Sequence, residues 1–225
     1  MEEYVYTTEI TKRGEQLWYR NGLLHRDNDE PAYISKRGLK KWYQNGILHR
    51  DDAPAYIKPD GTKKWYRNGL LHRDDGPAVI NMFYHAWYRR NDRHREDGPA
   101  YISADGLTKI WWLNDKRHRD GGPAVEIFNK DGSLDRQVWF INGIESREDG
   151  PSTIHKDGEE WKVNGHYHRI GGPALIFRGN EFYYKDGLYH RDDGPAINRT
   201  DGYRAWFING DFQYCEEPLV KSASN

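Results

Sequence analysis

Aliphatic side chains are scarce in this chain: Leu, Ile, Val and Phe together supply only about 18% of its 225 residues, below the rough 20% typical of disordered chains. Two other quantities oppose disorder. The formal net charge is −1, and 9 Trp, 16 Tyr and 7 Phe bring large burial areas of their own. Cysteine is nearly absent. The single Cys215 excludes an intramolecular disulfide framework and any cysteine-rich metal site, and it fits a reducing compartment. No apolar run approaches the ~18 residues of a membrane helix, and the acidic start MEEYVYTTEI lacks the basic-then-apolar order of a secretory signal. The expectation is a soluble, cytoplasmic protein without a membrane partner. With Lys+Arg 34 against Asp+Glu 35, no overall field draws it to nucleic acid, so any charged stripe has to rest on local geometry.

What the chain has in abundance is repetition. HRDDGPA occurs at His72 and again at His190, with HREDGPA at His94, HRDGGPA at His118, REDGPS at Arg147 and HRIGGPA at His168; HRDNDEPA at His25 and HRDDAPA at His49 are looser copies. Each follows an opening aromatic at Trp18, Trp42, Trp65, Trp87, Trp111, Trp139, Trp161 or Tyr183, and a ninth, Trp206, opens a terminal half unit; the nine stand at intervals of 22 to 28 residues. Seven residues after the first eight of these aromatics stand His25, His49, His72, His94, His118, Ser146, His168 and His190. The next residue is always arginine: Arg26, Arg50, Arg73, Arg95, Arg119, Arg147, Arg169 and Arg191. A catalytic motif occurs once, whereas a structural unit occurs as often as the architecture needs it.

Inside a unit, KKWYRNGLLHR sets Asn-Gly between two short apolar-aromatic runs, the signature of a two-residue hairpin whose central residues need positive φ. Asn45-Gly46, Asn68-Gly69, Asn142-Gly143, Asn164-Gly165, Asp186-Gly187 and Asn209-Gly210 hold that place. A second turn is expected at Asp60-Gly61, Asp105-Gly106, Asp131-Gly132, Asp157-Gly158 and Asp201-Gly202. Two strands and two turns per unit follow, with the second strand bent at the Gly-Pro step. No segment keeps a 3.6-residue apolar period. The fold class is therefore all-β: an array of about eight and a half antiparallel β-hairpin repeats, each unit adding about 10 Å at ~4.8 Å per strand. Residues 1–17 read as a half-repeat cap, 18–210 as the array with an irregular centre at 87–139, and 211–225 as a C-terminal cap or tail.

The string W-x-x-N-G-x-x-H-R-x-D-G-P-A over 22 or 23 residues resembles the membrane occupation and recognition nexus (MORN) repeat, in the divergent form associated with tailed phages and large DNA viruses. That resemblance covers residues 10 to 210. It implies a strip of β-hairpins used for scaffolding or partner binding and carries no catalytic residue set.

Three roles compete for the His-Arg ladder. As zinc ligands the histidines would need to stand within some 3–4 Å of one another, yet equivalent residues of successive units are about 10 Å apart. As a phosphate stripe the arginines would work with Tyr19, Tyr43, Tyr66 and Tyr88 as stacking surfaces, but a carboxylate follows most of them closely enough to neutralise them. As a structural device the trio organises the bend, which explains a motif at every bend. The opening tryptophans read as a core stripe, and the aromatics beside them as an exposed row on the opposite face. Irregular units nominate Arg89, Arg90, Arg93, Trp112, Phe128, Arg136 and Glu145 as partner contacts.

No nucleophile context, phosphate loop or unique carboxylate pair points to an enzyme. The expectation is a non-catalytic interaction protein of viral origin, without cofactor or metal, that binds a host or viral protein as an adaptor or as an inhibitor of a host defence. The alternative is binding of a nucleotide or nucleic acid by the arginine-aromatic surface.

Overall fold

The computed structural model describes residues 4–218. These residues form strands, turns and loops with no helix, and every pairing within the two units described below is antiparallel. No helix long and apolar enough to cross a membrane occurs among them. The chain divides into two compact units, Met1–Lys116 and Arg117–Asn225, at a point inside the irregular stretch 87–139.

In the first unit a meander runs in chain order through Tyr6–Ile10, Gln16–Arg20, Tyr33–Ile34, Lys40–Lys41, Tyr56–Ile57, Lys63–Lys64, Val79–Ile80, Tyr84–Ala86, Tyr101–Ser103 and Thr108–Ile110. The second unit repeats the plan from Val125–Phe128 and Leu134–Val138 through to Arg204–Ile208 and Asp211–Glu216. Thus the chain from residue 211 begins as a strand, and the rest of the expected C-terminal segment, from residue 219, lies outside the described residues.

One expectation is corrected. A typical repeat has four short strands instead of two bent ones, because the Asn-Gly hairpins stand apart from the meander as separate pairs, as in Tyr43–Gln44 with Ile47–Leu48 and Tyr66–Arg67 with Leu70–Leu71. Trp42 and Trp65 lie between the two kinds of hairpin, outside any strand, and residues 72–78 form a loop with no strand until Val79. The proline removes a ladder donor there, so the chain leaves the sheet altogether.

Backbone bonds join one repeat to the next. The turn glycines donate to the preceding hairpin, Gly46 to the Leu24 carbonyl, Gly69 to Leu48, Gly165 to Glu145 and Gly187 to Tyr167, each at 2.8 or 2.9 Å. Trp42, Trp65 and Trp87 donate their backbone N–H to Ala55, Ala78 and Ala100. The residue after the proline of each ladder motif is fully buried: Ala32, Ala55, Ala78 and Ala100 in the first unit, Ala124, Ser152, Ala174 and Ala196 in the second. The core is therefore a column of small side chains flanked by aromatics, which accounts for a folded chain with so little aliphatic residue.

The aromatics beside the tryptophans are a second correction. Tyr19, Tyr43, Tyr66, Tyr88, Phe140, Tyr184 and Phe207 are all half-buried, not an exposed row. In the second unit ring contacts run along the repeats: Tyr167 stacks on Tyr184 of the next hairpin at 5.0 Å, Tyr184 stacks on Tyr189 across its own hairpin at 4.4 Å, and Tyr189 meets Phe207 of the following repeat at a tilt at 5.2 Å, so aromatic contact helps hold neighbouring hairpins together.

Candidate functional site

The ladder arginines take one arrangement throughout. Arg26, Arg50, Arg73, Arg95, Arg147, Arg169 and Arg191 lie over Trp18, Trp42, Trp65, Trp87, Trp139, Trp161 and Tyr183, with ring distances of 3.8 to 4.2 Å. All eight, Arg119 included, donate to the carbonyl of the proline that follows, at 3.1 to 3.4 Å. Each also has a carboxylate. In Arg73, Arg95, Arg147 and Arg191 the Nε–H meets Asp75, Asp97, Asp149 and Asp193 at 2.8 Å. Arg26 takes Glu30, Arg50 takes Asp29, Arg119 takes Glu126 and Arg169 takes Glu159. The hydrogen bond from arginine holds Asp75, Asp97, Asp149 and Asp193 below the usual carboxylate range.

This clamp explains the glycine. Gly76, Gly98 and Gly194 do not have positive φ; a Cβ on any of them would lie 3.0 Å from the guanidinium carbon of the clamp arginine. Ala53 is the instructive exception, because in its repeat Arg50 turns its Nε–H and Nη2–H to Asp29 of the preceding repeat, both at 2.6 Å.

The histidines tie repeats together. Nδ1 accepts the N–H of the first turn residue in the next hairpin: Asn45 to His25, Asn68 to His49, Asn114 to His94, Asn142 to His118, Asp186 to His168 and Asn209 to His190, at 3.0 to 3.3 Å. In His25 and His49, where Nδ1 only accepts, the ring proton sits on Nε2, which meets the acid two residues on, His25–Asp27 at 2.9 Å and His49–Asp51 at 3.1 Å; His168 differs, its Nδ1 lying 2.9 Å from the Asp186 carboxylate with no acid two residues on. Ser146 fills the same role with its Oγ, accepting from Asn164 at 3.0 Å. Nδ1 of His72 is a buried atom without a partner, and it faces the repeat in which Arg90-Asn91 replaces Asn-Gly.

The seven residues nominated as contacts scatter. Arg89 is exposed opposite Glu96, Arg90 holds a turn at φ 53°, and Arg93 lies over the Trp112 ring at 4.9 Å. Phe128 stands at a register shift opposite Leu134, and Arg136 pairs across from Ile127. Glu145 turns inward: it accepts from Ser152 at 2.9 Å and Thr153 at 2.8 Å and binds Lys162 at 2.9 Å. Lys162 also holds Glu160 at 2.7 Å, and Glu160 accepts from the Tyr167 hydroxyl at 2.7 Å. Burial raises the Tyr167 hydroxyl most, and the Glu160 bond adds to it, pushing it to about 12. For Glu160 burial opposes ionisation, yet the bonds from Lys162 and Tyr167 outweigh it and hold the carboxyl below its ordinary value. This strut accompanies the replacement of His by Ser146 and of Ala by Ser152.

Between successive charged loops lie grooves. One of about 620 Å³ separates the Arg73 and Arg95 loops in the first unit, and one of about 600 Å³ separates the Arg169 and Arg191 loops in the second. The second differs in chemistry, since Ile170 replaces the acid after Arg169, stands 90% exposed and lines the groove together with Tyr183 and Tyr184. Sequence reasoning passed over Ile170; the signal was HRIGGPA, the copy of the heptapeptide without an acid. No His, Cys, Asp and Glu side chains converge in a group able to hold a metal among the described residues. No protein-family model matches the chain, and no curated protein is similar to it.

Proposed function

We propose that this chain is a non-catalytic repeat scaffold, a viral adaptor or inhibitor in the sense its MORN-like repeats imply, that binds a protein through side chains particular to individual repeats. The observation that carries this reading is the saturation of the recurrent motif. Every ladder arginine has a carbonyl and a carboxylate partner, so the shared residues serve the fold and recognition falls to those that vary. Ile170 is the strongest such residue: a large apolar side chain at 90% exposure in a groove that Tyr183 and Tyr184 also line has the composition of an interface anchor. The nucleotide alternative needs free guanidinium groups on the ladder and draws no support from arginines already neutralised.

The test is quantitative affinity capture from host cells, with wild type and Ile170→Asp as baits of equal melting temperature. The expected result is a protein retained by wild type and reduced at least about tenfold by the substitution, the scale of losing one anchor. Identical retained sets would overturn the assignment.

A further inference from the structure

The first unit carries a second charged row that the clamp does not use. Its meander turns lie in register, so that Lys12 and Arg13 match Lys36 and Arg37; in the next turn Pro59 and Asp60 stand at those two places and Lys58 matches Ser35. Side chains stack from turn to turn, for a Cβ on Gly14 would lie 3.5 Å from Lys36 Cδ and one on Gly38 would lie 3.4 Å from Pro59. Just inside the turns, Lys40 and Lys63 occupy one register position on one face of the sheet, opposite Ile34 and Ile57.

These seven cations, Lys12, Arg13, Lys36, Arg37, Lys40, Lys58 and Lys63, are all exposed, and none forms an ion pair among the described residues. The contrast with the ladder is complete, since every arginine there is neutralised. Of the acids on the same three turns, Glu15 accepts from the Tyr33 hydroxyl at 2.8 Å and Asp60 from the Thr62 N–H at 2.8 Å, and Asp60 also feels one of the cations, Lys58. A chain of net charge −1 thus concentrates unpaired positive charge along one edge of residues 11–64.

We propose that this edge binds the phosphate backbone of duplex nucleic acid without regard to sequence. Turns two strands apart repeat every ~10 Å, so three of them span roughly 20 Å, over which a DNA duplex presents about twelve charges. Arginine and lysine suit phosphate as donors. The three turns hold no aromatic ring, so they lack the stacking platform that single strands require. The site belongs to the first unit, uses no residue of the Ile170 groove and does not depend on the protein-binding reading.

Fluorescence anisotropy with two unrelated labelled 20-base-pair duplexes tests this. Both should bind equally, with the logarithm of affinity falling at a slope of about −4 to −6 against the logarithm of salt, as five to seven released counterions require. The combined variant Lys12→Glu, Arg13→Glu, Lys36→Glu, Arg37→Glu should lose at least 100-fold, and the glutamine version of the same four at least tenfold, at unchanged melting temperature. Ile170→Asp should leave duplex binding within twofold. Absence of duplex binding in 50 mM salt, equal affinity in the glutamate variant, or tighter binding by the same residues to single strands, polyglutamate or phosphatidylserine vesicles would each overturn the proposal.

Discussion

At the scale of single residues, the molecule uses one side chain for several bonds at once. Arg73 stacks at 4.2 Å on Trp65, pairs with Asp75 at 2.8 Å and donates to Pro77; Arg147 repeats that geometry on Trp139, Asp149 and Pro151. Arg73→Ala and Arg147→Ala should therefore cost the same, about 2 kcal/mol each, as a cation–π contact and its charged hydrogen bonds are lost together. Urea unfolding measures both, and a cost at only one position would show that the other arginine serves binding. The histidine tie predicts an asymmetry of its own. His190→Ala should cost about 1 kcal/mol by orphaning the Asn209 N–H, whereas His190→Ser should recover part of it, because Ser146 already performs that task.

Among the elements, the hairpins show where local chemistry suffices and where it does not. Asn68 and Gly69 both have positive φ, at 51° and 80°, and their successors Arg90 and Asn91 keep the same geometry at 53° and 74° without glycine. Arg90→Gly should stabilise the first unit by about 0.5–1 kcal/mol, since only glycine enters that region without a steric cost and Asn91 keeps the 2.7 Å bond that its Oδ1 accepts from the Leu71 N–H; a rise in the urea midpoint would register it. Asp157-Gly158 reads in sequence as another turn, but Gly158 is already in a strand, paired with His155 and Phe177. A Cβ there would stand 1.9 Å from the Ile176 carbonyl oxygen at φ 155°. Gly158→Ala should cost about 3 kcal/mol, at the upper end of overpacking penalties, and amide exchange should accelerate first along Leu175–Phe177. The Asn-Gly turns were legible because positive φ is a property of two residues. The four-strand repeat was not, because whether a proline bends a strand or ends it depends on what the neighbouring repeat offers its carbonyl.

For the molecule as a whole, acid is the informative stress. Asp75, Asp97, Asp149 and Asp193 are held below the usual carboxylate range by arginine. A folded-state value lowered in this way gives stability that is present at neutral pH and disappears as pH falls through that lowered value. The melting temperature should decline between about pH 5 and pH 2, through and below the usual carboxylate range. A variant carrying all four Asp→Asn changes should start lower and decline less. A parallel fall in both proteins would assign the acid sensitivity to other groups, Glu160 first among them.

The order of residues by itself determined the period, the turns, the all-β class and the structural part of the ladder, because each rests on chemistry within one repeat: positive φ at Asn-Gly, a lost donor at proline, a carboxylate two residues from an arginine. Only the tertiary structure decided that the tyrosines face inward, that Glu145 is an internal strut with Lys162, that glycine in the loop makes room for a guanidinium, and that seven cations share an edge. Those facts depend on which atoms of different repeats come within a few ångströms. Register between repeats sets that distance, and register is a property of the stacked sheet, where no single copy of the motif contains it.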